Sequence, residues 1–244
     1  MDYLLKVENA TSKIHSTEMD QTVTTGTVRQ MHIVGDSDWA GGFKANVTVS
    51  VKSSVPTPVP SLQVKIRSDA MYMKVPAQKV ASTGGKHWLK EPLALLAAQG
   101  DGGKAETDQM KRSNPAMDVR MLMASGDLRK VGRETVRGVT TTHYTGTLDT
   151  AKLIASKEGL TPDDVKFLKK QLAAEGVAED HIDLWVNSEN LPVEMQEQTQ
   201  TSTAKITSTT YLSHYGVAVD LSVPAASDTF TLHSVVGAGQ TGTA

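Results

Sequence analysis

Seven histidines, His15, His32, His87, His143, His181, His214 and His233, are the side chains of this sequence best suited to metal or proton chemistry. None stands in an H-x3-H or H-E-x-x-H arrangement, the spacings that bring two imidazoles to one metal ion. His143 followed by Tyr144 is the most suggestive pair, and its plain reading is a packed or hydrogen-bonded histidine on a strand. Cysteine is absent, which excludes disulfides, thiolate nucleophiles and cysteine-ligated metals within the chain. Serines are plentiful, but no G-x-S-x-G elbow presents one for attack. Asp163 and Asp164 fall in the first turn of an expected helix, and Asp183 alternates onto the wet side of an expected strand, so with Glu179 and Asp180 they form no acid-base pair. The run from Gly100 to Lys104 looks like a phosphate loop only in part, because Ala105 follows the lysine where Ser or Thr is needed. These residues predict a protein that is not an enzyme and needs no metal or cofactor.

Arg129, Lys130, Arg133 and Arg137 cluster between Gly126 and Gly138. A lipid headgroup or lipoglycan phosphate could sit there, but a solvated strand face is the simpler expectation. Over the 244 residues, 25 Lys and Arg against 27 Asp and Glu leave a formal charge of −2, which gives no long-range field to recruit nucleic acid or an anionic membrane. The ten methionines point mainly to core filling, with adaptable contact to a variable ligand as the other use of that residue. No run of 18 apolar residues occurs, and Met1-Asp2-Tyr3 does not open a charged-then-apolar leader, so neither a membrane span nor a signal peptide is expected in the chain as given.

The elements that must position these side chains are mostly strands. Phe43, Ala45, Val47, Val49 and Val51 alternate with Lys44, Asn46, Thr48, Ser50 and Lys52, a period of two that gives one buried and one wet face. Leu62, Val64 and Ile66, then Met71, Met73 and Val75, repeat the pattern, and residues 17–34, broken near Gly26, read as a strand or a tightly bent hairpin. Pro56, Pro58 and Pro60 suit a stiff connector. Further strands are expected around the turn at Arg137-Gly138. Ile182, Leu184 and Val186 should point inward on a strand that turns at Ser188-Glu189-Asn190 and restarts at Leu191-Pro192. A long exposed strand from Met195 to Thr210 and another from Tyr211 to Leu221 complete a meander. Trp185, on the outward side, has no evident reason to be there.

An antiparallel sheet with one apolar face needs a cover. Helices are expected over Tyr3–His15, after Pro92, after the Asn114-Pro115 cap and after Thr161-Pro162. The short segments Leu93 to Ala98 and Met117 to Met123 are the expected cover. The order of elements lacks the βαβ alternation of a parallel sheet, so the fold class is α+β, with one domain over residues 1–230 and a flexible, Gly- and Thr-rich tail over 231–244.

Four segments carry a family resemblance: G-G-K-H-W-L-K (Gly84 to Lys90), V-G-R-E-T-V-R-G-V-T-T-T-H-Y-T-G-T-L-D (Val131 to Asp149), I-D-L-W-V-N-S-E-N-L-P (Ile182 to Pro192) and Y-G-V-A-V-D-L-S-V-P (Tyr215 to Pro224). The chain resembles the actinobacterial cell-envelope lipoproteins of the LppX/LprAFG group and, more distantly, the LolA-like lipoprotein carriers. That resemblance implies a single curved antiparallel sheet, a half-barrel whose concave face is covered by short helices, able to bind or transport a lipid or other lipophilic molecule in between. It also implies export, with the signal peptide removed, and anchoring to the outer face of the cytoplasmic membrane through an acylated cysteine, from which this sequence departs in having no lipobox and no Cys. The apolar residues expected to meet such a ligand are Val47, Val49, Val64, Ile66, Met71, Met73, Leu93, Leu96, Met117 and Met121. The alternative is a sensory or regulatory lipoprotein that contacts an envelope partner along an open sheet edge at Met195 to Thr210.

Overall fold

A computed structural model describes residues 2–27, 29–54, 61–100, 114–124, 127–149, 179–201 and 204–231, with isolated positions at 103–104, 107–108, 110, 162–163, 165–166 and 169. The proline connector, most of the helix expected after Thr161 and all of the tail beyond Thr231 lie outside the described residues. The described residues form twelve strands and three α-helices. Helix α1 (Asp2–Thr11) is followed by β1 (Ser16–Thr25), β2 (Arg29–Asp38), β3 (Lys44–Ser53), β4 (Ser61–Ile66), β5 (Ala70–Lys74) and β6 (Trp88–Pro92). Then come α2 (Leu93–Ala97), α3 (Pro115–Ala124), β7 (Arg129–Val136), β8 (Val139–Asp149), β9 (Glu179–Val186), β10 (Pro192–Gln200), β11 (Lys205–Ser213) and β12 (Thr229–Phe230).

All twelve strands form one sheet in the order β12-β6-β5-β4-β3-β2-β1-β11-β10-β9-β8-β7. Every neighbouring pair is antiparallel except β12, which runs parallel to β6. The sheet does not close, and β12 and β7 are its two edges. This is the single open antiparallel sheet expected of the α+β class. Asn114 caps α3 as its sequence suggests, its side-chain oxygen accepting the Met117 N–H at 2.9 Å.

The meander at the C-terminal end departs from expectation. The stretch from Met195 to Thr210 is two strands, broken at residues 201–204, where the Thr201 N–H and hydroxyl both reach the Ala204 carbonyl. Both strands lie inside the sheet, β10 between β9 and β11 and β11 between β10 and β1, so this stretch is no open edge. Nor do residues from Tyr211 to Leu221 form one strand: β11 ends at Ser213, and His214 and Gly216 turn the chain with φ of 48° and 84°. The Thr-rich composition had suggested β structure correctly and its continuity wrongly, because composition does not show where two strands fold back on each other.

Beyond that turn, residues 217–225 cross the outer face as a strap before β12 docks beside β6. Arg67, at the end of β4, fastens it. The guanidinium is 4% exposed and donates to the carbonyls of Leu221 (3.1 Å), Ala45 (3.0 Å), Ile66 (2.7 Å), Asp220 (3.1 Å) and Ser222 (2.8 Å) and to Asn46 Oδ1 (2.8 Å). A planar fork with five N–H bonds suits this cage of oxygens, and a lysine could not reproduce it. Where β2 and β3 cross, Gly35 has φ of 152°, and a Cβ there would lie 2.0 Å from the Asn46 carbonyl oxygen. Only glycine permits that approach.

Replacing Arg67 frees the strap and strands several carbonyls. Arg67→Met should lower the unfolding free energy by about 3 kcal/mol in urea titration. A loss below about 0.5 kcal/mol would show that the strap is held by something else.

Candidate functional site

Residues opposite each other in an antiparallel pair share a face, and the register shows which residues line the inner one. Val47 stands opposite Val64 and Gly35, Val49 opposite Leu62 and Ile33, and Val64 opposite Met73. Ile66 stands opposite Met71 and Ala45. Six of the expected ligand-contacting residues, Val47, Val49, Val64, Ile66, Met71 and Met73, therefore form one apolar patch on β3, β4 and β5. No polar side chain occupies an inward position of β3 or β4 between Ala45 and Val51 or between Leu62 and Ile66. Ala45, Val47 and Val64 are buried, whereas Ile33, Val49, Leu62, Ile66, Met71 and Met73 keep part of their surface accessible.

The other half of the same face is solid. Leu4 and Val7 of α1 and Val119, Leu122 and Met123 of α3 pack on Tyr144, Leu148, Ile182, Leu184 and Val186 of β8 and β9. Ile182, Leu184 and Val186 thus point inward as their alternation predicts. Tyr3 stacks on Tyr144 with ring centroids 5.1 Å apart, and burial pushes the Tyr144 hydroxyl well above its ordinary value, with Tyr3 adding to the shift. Met121 joins this plug at its rim, and Met117 is buried on α3. Leu93, buried, and Leu96, half-buried, belong to α2, which lies against β5 and β6. Six of the ten residues thus share one patch, while Met121 joins the plug and Met117, Leu93 and Leu96 lie outside both clusters. The expected cover is also redistributed: α1, expected only to pack on the sheet, shares the plug with α3, while α2 sits at the far end.

No family model matches the chain. Among solved structures it is similar to LprF from Mycobacterium bovis, with a TM-score of 0.53 and 19% identity over 92% of this chain and 96% of that one. It is similarly close to the lipoprotein LppX of Mycobacterium tuberculosis, with a TM-score of 0.54 and 12% identity over 91% and 98% of the two chains. A Streptomyces coelicolor protein named as a lipoprotein is 28% identical over 93% of this chain and 73% of its own length. An uncharacterised 31.2 kDa protein of Streptomyces griseus, encoded between rplA and rplJ, is 34% identical over 97% of this chain and 80% of its own. The chain belongs to the family of the Streptomyces griseus protein, and its fold is that of LprF and LppX.

In this member of the family the outer face explains Trp185. Its indole is only 8% exposed. It stacks on the His143 ring at 4.2 Å and 13° and donates Nε1–H to Glu134 Oε2 at 2.7 Å. His143 lies between two carboxylates, Nδ1 at 2.9 Å from Glu134 Oε1 and Nε2 at 2.8 Å from Asp183 Oδ1. The second oxygen of Asp183 meets His181 at 3.2 Å. Asp183, expected to face water, is instead half-buried in this network. Val136, Val193 and Tyr211 complete a small outer core around the indole. Arg137 leaves the basic cluster, pairing with Asp20 at 2.9 Å and covering the Tyr211 ring at 3.5 Å, while Arg129, Lys130 and Arg133 stay on edge strand β7. Among the described residues no three His, Asp or Glu side chains gather as a metal-holding set. No described helix is long and apolar enough to cross a membrane.

The Trp185 and His143 hydrogen bonds hold the Glu134 carboxyl below its ordinary value. A depressed carboxylate contributes stability that is present above its unfolded pKa and lost as pH falls through the folded one. Glu134→Gln should therefore be less stable than the parent at neutral pH, and the gap should close as pH drops below about 4.3. Parallel urea titrations at several pH values measure it, and a gap independent of pH would contradict the assignment.

Proposed function

We propose that this protein binds or carries a lipid or another lipophilic molecule, with the apolar portion laid along the inner face of β2 to β5. The observation that carries this reading is the unequal treatment of the two apolar areas on the inner face. Over β8 and β9 two helices seal the face, while over β2 to β5 Ile33, Val49, Leu62, Ile66, Met71 and Met73 keep apolar surface accessible. A ligand chain placed there gains about 0.8 kcal/mol per methylene removed from water, so no polar anchor is required for binding. Methionines at 71 and 73 suit cargo of variable shape. In this reading Val47, Val49, Val64, Ile66, Met71 and Met73 touch the ligand, Leu93 and Leu96 bound it at the β5–β6 end, and Met117 and Met121 belong to the plug.

The function is non-enzymatic carriage in the cell envelope, outside the cytoplasm, as the name of the Streptomyces coelicolor relative and the LppX/LprF-like fold support. Attachment to the outer face of the cytoplasmic membrane would need an acylated cysteine, and the 244 residues contain none, so such an anchor would lie outside them. The regulatory reading needs an exposed edge at Met195 to Thr210, and the two strands of that stretch, β10 and β11, each have a neighbour on both sides.

Protein purified without detergent should yield a lipid in mass spectra of its organic extract and should bind a fluorescent fatty acid saturably. Val49→Asn and Met73→Gln place polar groups on the inner face and should weaken that probe at least about tenfold, about 1.4 kcal/mol each. Thr48→Asn, one residue away on the outer face, should leave binding within about twofold. A clean extract, or equal effects of the inner and outer substitutions, would contradict the proposal.

A further inference from the structure

The outer face carries a second recess, away from the lipophilic surface. It is a half-open trough of about 790 Å3, within the size range of ligand sites. Its floor is formed by outward-facing positions of β1, β2 and β11, its sides by the β7–β8 turn, the β9–β10 turn and the turn after β11. None of the ten apolar residues assigned to the lipophilic ligand lines it.

Two features of this trough are unfavourable in water. Val34 and Val139 present 42% and 40% of their surface on a face that solvent should make polar. Glu18 and Asp36 are direct cross-strand partners on the same face, and like charges in that relation repel. The carboxylates at the trough are Glu18, Asp20, Asp36 and Glu189, against the Arg137 guanidinium and the His214 imidazole. Both of these are already engaged, Arg137 with Asp20 at 2.9 Å and His214 with Glu18 at 2.7 Å. Desolvation pushes the Asp20 carboxyl up, but hydrogen bonds from His32 and Arg137 outweigh it and keep the group ionised. Asp36 and Glu189 form no ion pair with any described residue. The trough is thus apolar at Val34 and Val139 and carries uncompensated negative charge at its rim.

We propose that this trough is a docking site for a basic, amphipathic segment of a partner protein, laid in extended form with Lys or Arg between Asp36 and Glu18 and apolar side chains on Val34 and Val139. The volume accommodates several side chains of such a segment. An inorganic cation would leave the two valines uncovered, and an anionic bilayer surface would be repelled by the same carboxylates.

The test uses a fluorescein-labelled octapeptide alternating Lys with Val, read by fluorescence anisotropy against the full chain. Saturable binding is expected, weakened at least about tenfold by the double variant Asp36→Asn/Glu189→Gln and by raising salt from about 0.05 to 0.5 M. Peptides alternating Glu with Val, or Lys with Ser, should bind at least about tenfold more weakly. Fatty-acid binding by the double variant should match the parent, which separates this site from the lipophilic one. The proposal is overturned if the Lys-Val peptide does not saturate, if the double variant binds it equally well, or if the Glu-Val peptide binds as tightly. Binding of the parent to phosphatidylglycerol vesicles without peptide binding would likewise overturn it, assigning the face to a membrane.

Discussion

A sheet whose inner face carries large apolar areas cannot leave them in water, and the way this protein meets that constraint governs the rest of its structure. On the inner face one apolar area runs from Met73 through Val64 and Val47, another covers Leu184 and Tyr144, and Gln21, Thr210, Ser208 and Glu197 lie between them. Two short helices provide the cover, and they cover only one half. Leu4, Val7, Val119 and Leu122 are fully buried between the helices and β8–β9, which makes that half a conventional core. The half around Val49 and Met73 keeps its apolar surface partly accessible, and it is there that another hydrophobic body completes the burial.

A sheet that stays open must be held in shape from its other side. The strap over residues 217–225, held by three hydrogen bonds from Arg67 while three more tie that guanidinium to Ala45, Asn46 and Ile66, joins the exit of β11 to β3 and β4. The Trp185–His143–Glu134–Asp183 network locks β7, β8 and β9 to one another on the same outer face. Both devices act on the polar side through hydrogen bonds and stacking. The inner surface can therefore remain lined by soft aliphatic and thioether groups without the frame depending on what lies against them. Gly35 adds a local constraint, since the close approach of β2 and β3 leaves no room for a side chain.

The fold was legible in the sequence wherever a period of two was clean. The run from Phe43 to Lys52 fixed β3 and both its faces, and Ile182, Leu184 and Val186 face inward as their spacing requires. The patch joining Val47, Val64 and Met73 could be named because every second residue on three successive strands is apolar. Three features were hidden. The Thr- and Gln-rich stretch from Met195 has β composition on both sides of its break, and the reversal at 201–204 has no Gly or Pro to mark it. Arg67 looks like any charged residue at a strand end, because its partners are backbone carbonyls and backbone leaves no sequence signal. Trp185 was conspicuous but unexplained, since its partners Glu134 and His143 come from strands whose pairing depends on tertiary register.

The most direct measurement of the central claim uses the methionines as reporters. With methyl-labelled methionine, NMR spectra recorded with and without a nitroxide-bearing fatty acid show which methyl groups the bound chain approaches. Strong broadening is expected at Met71 and Met73, and little at Met123 and Met195 in the sealed half. Broadening that is absent from Met71 and Met73, or that falls chiefly on Met123 and Met195, would contradict it.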